Sequence, residues 1–263
     1  MISIFTRTDT TRISSRIRGQ EMATYLHARF NPSSGYEQDV CIWVKPGNLD
    51  RVRNGDYVDF LDGGRFVKQL KSRTEVKLIA ASMFSYFYLK QFFDNEMVYI
   101  PQHHLNYDRL RRDRTEIKVA GYIGGDPPVA IKQYRAIGQS LKKIGWHFIT
   151  CFNFKNRQEA IDLYRKIDLL IIAGWEWGDV YPFKIPTKLI NAFSFGIPVI
   201  AYPLKAYQEI EGDYVPINNL EELLAAAEQF KDPEYYNQWP DKLMKVAEPY
   251  HISHIAEKFK ELT

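Results

Sequence analysis

The segment KIPTKLINAFSFGIPVIAYPLKAYQEI, Lys184–Ile210, decides how this 263-residue chain is read. Pro186 suits the first turn of a helix, where its fixed φ is already helical and its missing N–H is not needed. Leu189, Ala192 and Phe193 give that helix an apolar face. Gly196 terminates it, and Pro198–Ala201 continues as a short apolar strand. Thr187 and Lys188 fall in the first turn, where unpaired N–H groups and the helix dipole favour an anion. Lys188 adds a point charge suited to phosphate. The same helix–turn–strand is also ordinary α/β construction, so the segment predicts a fold class before it predicts a ligand.

The pattern extends in both directions. Asp168–Ala173 contains DLLII, a run suited to a strand buried on both faces. Strands over Ile117–Ile123, Trp146–Cys151 and Tyr214–Ile217 alternate with helices over Val129–Ile144, Gln158–Ile167 and Leu220–Phe230. The first half repeats the scheme. Strands are expected at Ile2–Thr6, Val40–Val44, Tyr57–Leu61, Val76–Ala81 and Met97–Ile100, and helices at Ser14–Arg29, Arg65–Ser72 and Ser82–Phe93. Gln102–Glu116, QHHLNYDRLRRDRTE, is polar without apolar period and reads as a linker. The expectation is an α/β protein of two Rossmann-like halves, residues 1–110 and 117–250, with a ligand cleft between the carboxyl ends of their strands. The amphipathic tail, residues 251–263, is expected to pack back on the first half through Ile252, Ile255 and Phe259, although a membrane surface would also suit it.

Composition narrows the class. Hydrophobic residues make up 45% and charged residues 25%, which excludes a disordered chain. Cys41 and Cys151 are the only cysteines, so neither a disulfide framework nor a cysteine-based zinc site is expected. Free thiols fit the cytoplasm. The N-terminal apolar run meets Arg7, Asp9 and Arg12 and is not a signal peptide pattern. No apolar stretch reaches the ~20 residues of a membrane span. Residues 1–118 hold 19 Lys/Arg against 14 Asp/Glu; residues 119–263 hold 16 against 18. The basic first half suits an anionic partner such as phosphate, acidic lipid or nucleic acid.

Several residues carry chemistry at the expected strand ends. Asp59 and Asp62, in YVDFLDGG, are candidates for a general base, or for Asp-Gly turn chemistry. His103 and His104, in IPQHHLN, titrate near neutrality when unperturbed, so His104 is a candidate for proton transfer and both for the cleft wall. Arg16 and Arg18 are candidates for phosphate or acceptor contact, or for solvated helix positions. Gly124 and Gly125 permit close backbone approach to phosphate. Trp175 and Trp177 could stack on a base or pack in an interface. No metal-ligand constellation is present, and no cofactor is expected.

The order Lys-x-x-x-Lys-Leu-x-Asn-Ala-x-x-x-Gly-x-Pro-Val-Ile, followed by Ala-Tyr-x-Glu-Ile, resembles the donor-binding segment of GT-B-type glycosyltransferases of the family 4, or group 1, kind. VAGYIGG, Val119–Gly125, is similar to the first strand and glycine loop of their second domain. YRKIDLLIIAGWE, Tyr164–Glu176, is similar to the helix and strand preceding the donor site, and SSRIRG, Ser14–Gly19, to the first inter-domain loop. The resemblance implies a metal-independent transfer of sugar from a nucleoside-diphosphate donor, UDP- or GDP-linked, to an acceptor hydroxyl. It implies donor contacts at Gly124, Gly125, Glu176, Lys184, Thr187, Lys188 and Asn191. Many retaining members carry two glutamates eight positions apart; these positions hold Phe183 and Asn191 here, which leaves the stereochemistry open. The implied acceptor is a glycan or lipid-linked glycan, with peripheral membrane contact; a nucleic acid fits least well. A nucleotide-sugar epimerase and a non-catalytic nucleotide-sugar-binding scaffold are the alternative readings.

Overall fold

The computed structural model describes residues 1–7, 15–61, 66–111, 117–125, 128–152, 154–175 and 184–263. The first half is a six-stranded parallel sheet in the order β2-β1-β3-β4-β5-β6. Its strands are β1 (Ile2–Thr6), β2 (Arg29–Phe30), β3 (Val40–Val44), β4 (Tyr57–Asp59), β5 (Lys77–Ala80) and β6 (Met97–Tyr99). After β1, a π-helical segment, Arg16–Glu21, runs into α1 (Met22–Leu26). The remaining crossovers of this half include α2 (Val67–Lys71) and α3 (Met83–Lys90). The register places Val44 opposite Asp59 and Asp59 opposite Ile79, so Asp59 stands at the carboxyl end of a central strand.

The second half is a five-stranded parallel sheet ordered β11-β10-β9-β7-β8. It contains β7 (Val119–Ile123), α4 (Pro128–Lys143), β8 (His147–Cys151), α5 (Arg157–Tyr164), β9 (Leu169–Ile172), α6 (Thr187–Ser194), β10 (Val199–Ala201) and β11 (Val215–Pro216). Helices α7 (Leu220–Gln229), α8 (Pro233–Asn237) and α9 (Pro240–Ala247) follow. All four residues of β9 are buried, as a central parallel strand covered on both faces requires.

The last helix, α10 (Ile252–Lys260), belongs to the core of the other half. Ile252, Ile255, Ala256 and Phe259 pack with Ile2, Ile4, Met22, Ile42 and Ile79. The reverse also occurs: Ile17 and Leu105 join the core cluster built on α6 and β9. The apolar cores therefore interlock across the seam.

The carboxyl ends of the two sheets face each other. Arg16, after β1, donates from Nη1 to the carbonyl of Lys155, after β8, at 2.6 Å. Glu209, in a 3-10 turn after β10 (Lys205–Ile210), reaches the segment after β5: its Oε2 accepts from Met83 N–H at 2.8 Å and from the Tyr99 hydroxyl at 3.0 Å. The N-terminus of α3 is thus closed by its own Ser82 side chain, which accepts from Ser85 N–H, and by a carboxylate from the opposite half. Burial raises the Glu209 carboxyl above its ordinary range.

The first part of the polar segment read as a linker, residues 102–106, does not cross through solvent. Residues 100–106 are buried in the seam. Leu105 N–H donates to Asn191 Oδ1 at 2.9 Å, and Leu105 O accepts from Arg157 Nε at 2.9 Å. Asn106 Nδ2 donates to Ser194 O at 2.7 Å, and His104 N–H to Tyr250 O at 3.0 Å. Its polarity is what satisfies two facing halves at once.

Candidate functional site

The site is built at the carboxyl end of β7. Gly124 follows that strand and donates its N–H to Cys151 O at 2.9 Å, which fixes the turn against β8. Helix α6 begins opposite, with Pro186 at its N-cap and no side chain capping it. Its first-turn amides therefore lack intrahelical partners. The Lys188 side chain runs from this turn directly across Gly124. A methyl group built on Gly124 would collide with Lys188 Cε and stand 3.2 Å from Nζ. A side chain here would have to push the lysine aside. Lys188 Nζ also lies 5.6 Å from the Tyr122 ring centroid. Beside it, Thr187 Oγ1 is buried with no hydrogen-bond partner among the described residues. Among the described residues, nothing lies within 4 Å of the position a side chain would take on Gly125. A cation, an unsatisfied hydroxyl, helix amides and an open glycine turn thus converge where an anion is favoured.

Other sequence candidates lie elsewhere. Lys184 is half-buried ahead of α6. Asn191 is buried, with its amide oxygen turned to Leu105 N–H in the seam. Trp175 packs against the second half's core, where Gln133, with its amide oriented to satisfy both neighbours, accepts from Trp175 Nε1 at 3.1 Å and donates to Ala173 O at 3.0 Å. Asp62, Glu176, Trp177 and Phe183 lie outside the described residues.

Arg18 and Asp59, read as a phosphate contact and a general base, are instead bonded to each other with both side chains fully buried. Arg18 Nε donates to Asp59 Oδ2 at 2.5 Å, Nη1 to Pro101 O at 2.5 Å and Nη2 to Ile100 O at 2.6 Å. Its guanidinium carbon sits 5.0 Å from the Phe259 ring centroid. One arginine therefore joins the ends of β4 and β6 to α10. Arg16 is turned to the second half, at Lys155 O and 5.7 Å from the Phe154 ring centroid.

His103 and His104 are buried in the seam as well. The His103 ring nitrogens face Ile17 O and His104 O, each at 3.1 Å. His104 Nδ1 accepts from Asn106 N–H at 3.2 Å, and its ring meets His251 edge-on at 5.4 Å. Burial above all pushes His103 down to about 4, helped by the charges of Arg18 and Arg157. Burial, then His251 and His103, push His104 down to about 3. Both rings are neutral at physiological pH.

Sequence reasoning missed Glu209 as a cross-domain contact, although it lies in the quoted Ala-Tyr-x-Glu-Ile. It missed the convergence on Arg18 too, because burial of an arginine among strand ends is a tertiary property. Among the described residues, no group of His, Cys, Asp and Glu side chains is arranged to hold a metal ion, and no helix is long and apolar enough to cross a membrane.

No family description and no curated protein sequence matches the chain. Solved structures do. The chain is similar to Anabaena HepE, solved in complex with UDP and glucose, with a TM-score of 0.64 at 10% identity over 99% of this chain and 98% of that one. It is similar to WaaG, a glycosyltransferase involved in lipopolysaccharide biosynthesis, with a TM-score of 0.61 at 9% identity over 100% and 99%. The match to TarM has a TM-score of 0.56 at 14% identity over 85% of this chain and 54% of that one. The chain spans about half the length of TarM, and 56% of the matched chain of the GtfA/B complex. At these identities the likeness establishes architecture: two parallel α/β sheets meeting at their carboxyl ends, the GT-B fold.

Proposed function

We propose that this GT-B protein transfers a sugar from a nucleoside-diphosphate donor to an acceptor hydroxyl. The observation that carries the reading is the path of Lys188, laid over Gly124 beside the unpartnered Thr187 hydroxyl at the start of α6. In the reaction, the bond between the anomeric carbon and the diphosphate oxygen breaks, and the electron pair leaves with the diphosphate. A bond forms from the acceptor oxygen to that carbon, and the acceptor's proton passes to a base. Lys188, the α6 amides and the Thr187 hydroxyl meet the charge that grows on the leaving diphosphate, in a site that water leaves as the donor enters. Glycosyltransferases among the structural neighbours support a sugar nucleotide as ligand, and HepE was solved with UDP and glucose.

Calorimetry with UDP and GDP tests the cradle. Lys188→Ala should weaken diphosphate binding about ten- to a hundredfold, the loss of one charge-assisted contact. Gly124→Ala, which pushes the lysine aside, should act in the same direction with a smaller effect. Unchanged affinity in Lys188→Ala would remove the cradle from α6. Incubation of the wild-type protein with labelled sugar nucleotides separates the activities. Donor hydrolysis or transfer supports the transferase, interconversion of the donor assigns an epimerase, and binding without turnover assigns a scaffold.

A further inference from the structure

We infer that a cavity at the far end of α6 is a binding site for a small uncharged molecule with an apolar body and one hydrogen-bond acceptor. The cavity has a volume of about 210 Å³. For scale, an apolar cavity of about 150 Å³ takes up benzene. It lies between the two places where the chain passes from one half to the other. His104, Asn106 and Arg109 line it from the first crossing, and Ala247 and Glu248 from the second. Arg109 Nη2 joins the two crossings by its ion pair with Glu248 Oε1 at 2.6 Å. Ser194, the last residue of α6, also lines it. Since α6 begins at Thr187, the cavity is about 10 Å along the helix axis from the Lys188 cradle. It is separate from the proposed donor site.

The hydrogen-bonding groups around the cavity name the ligand's chemistry. Most are committed. Asn106 Oδ1 accepts from Leu110 N–H, and its Nδ2 donates to Leu110 O and Ser194 O. The Ser194 hydroxyl donates to Asn191 O at 2.7 Å. Glu248 accepts from Arg109 and faces His254 Nε2 at 3.3 Å. His104 is the exception. Its Nδ1 accepts from Asn106 N–H, so the neutral ring carries its proton on Nε2. The residue is 2% exposed, and Nε2–H has no acceptor among the described residues. A buried donor of this kind calls for an acceptor. Water would serve it poorly, because a buried water usually makes about three hydrogen bonds and most other polar groups here are taken. The charges at the cavity are close to balanced. Arg109 and Lys245 are positive and Glu248 is negative. Helices α6 and α9 both end on the cavity wall, at Ser194 and Ala247, where each dipole adds about half a negative charge. The site therefore favours neither an anion nor a cation, and Met244 and Ala247 offer apolar wall to the body of a neutral ligand.

The inference stands apart from the transferase reading, since binding is measured with neither donor nor acceptor. The experiment is fluorine NMR titration of the full chain with 4-fluoroacetophenone, 4-fluorotoluene, 4-fluorobenzoate and 4-fluorobenzylammonium. The ketone should bind saturably. The toluene, which lacks the acceptor, should bind about three- to tenfold more weakly, the worth of one hydrogen bond. The benzoate and the benzylammonium should both bind more weakly than the ketone. His104→Asn keeps the acceptor for Asn106 N–H but places no donor at the Nε2 position, so its affinity for the ketone should fall to that for the toluene. Met244→Trp fills the cavity from a half-buried position and should abolish binding of every probe, with circular dichroism and Tm showing that the fold is kept. Lys188→Ala should bind the ketone like the wild type. A wild-type protein that shows no saturable binding overturns the inference, as does a His104→Asn variant that keeps full affinity for the ketone. So does wild-type binding in Met244→Trp together with a loss in Lys188→Ala, which would put the probe in the donor cradle.

Discussion

Arg18→Leu lowers the free energy of unfolding by about 3–5 kcal/mol, measured by denaturant titration. The size follows from what the guanidinium serves. It faces the Asp59 carboxylate in a region where both side chains are fully buried, and it satisfies two carbonyls at the end of β6. Leucine leaves a buried carboxylate without its cation and two carbonyls without donors, and each deficit carries a desolvation cost. Arg18→Leu/Asp59→Leu should recover part of the loss, because an apolar pair removes the uncompensated charge. If the double variant is less stable than Arg18→Leu alone, the ion pair is not the source of the effect.

Acidification should destabilise the protein through its buried histidines. His103 and His104 titrate near 6.5 when unfolded, but are held at about 4 and about 3 in the fold. Between those limits the unfolded chain binds the extra protons, so stability is complete above pH 6.5 and falls as pH drops toward the folded values. Each histidine contributes a slope of up to about 1.4 kcal/mol per pH unit across that window, a few kcal/mol apiece. His104 is faced by His251, His103, Glu248 and Arg109, and Arg109 holds the Glu248 carboxyl down at about 2, so the informative quantity is the difference between variant and wild type. His104→Asn keeps an acceptor for Asn106 N–H and cannot charge. Its stability should fall less steeply than the wild type's between pH 6.5 and 4.5, and parallel curves would show that His104 is not the sensor.

These two sites mark where sequence reading stops. The strands were legible because their signal is local: DLLII can only be a buried run, and Val40–Val44 and Met97–Tyr99 are short apolar blocks between polar ones. The helix start at Thr187 was legible from Pro186 and the apolar spacing that follows it. QHHLN was not legible as interior, because hydropathy counts polar groups without seeing their partners. His103, His104 and Asn106 are buried because carbonyls and amides of two halves meet them. Arg18 reads as a helix arginine until two strand ends and an aromatic ring close around it. β2, two residues long, carries no periodicity that a pattern could detect. The crossing of Lys188 over Gly124 joins positions 64 apart, which only the resemblance brought together before the fold did.

The contact between Glu209 and Met83 ties the width of the cleft to the order of one helix. To part the two halves at this edge, Glu209 must withdraw from the first turn of α3, leaving Ser82 to close it alone. Opening is then a local melting event, with a helix end fraying as the seam widens. Since α3 carries Phe87 outward at its middle and Lys90 at its end, movement at the seam is transmitted to the outer surface of the molecule along a single helix.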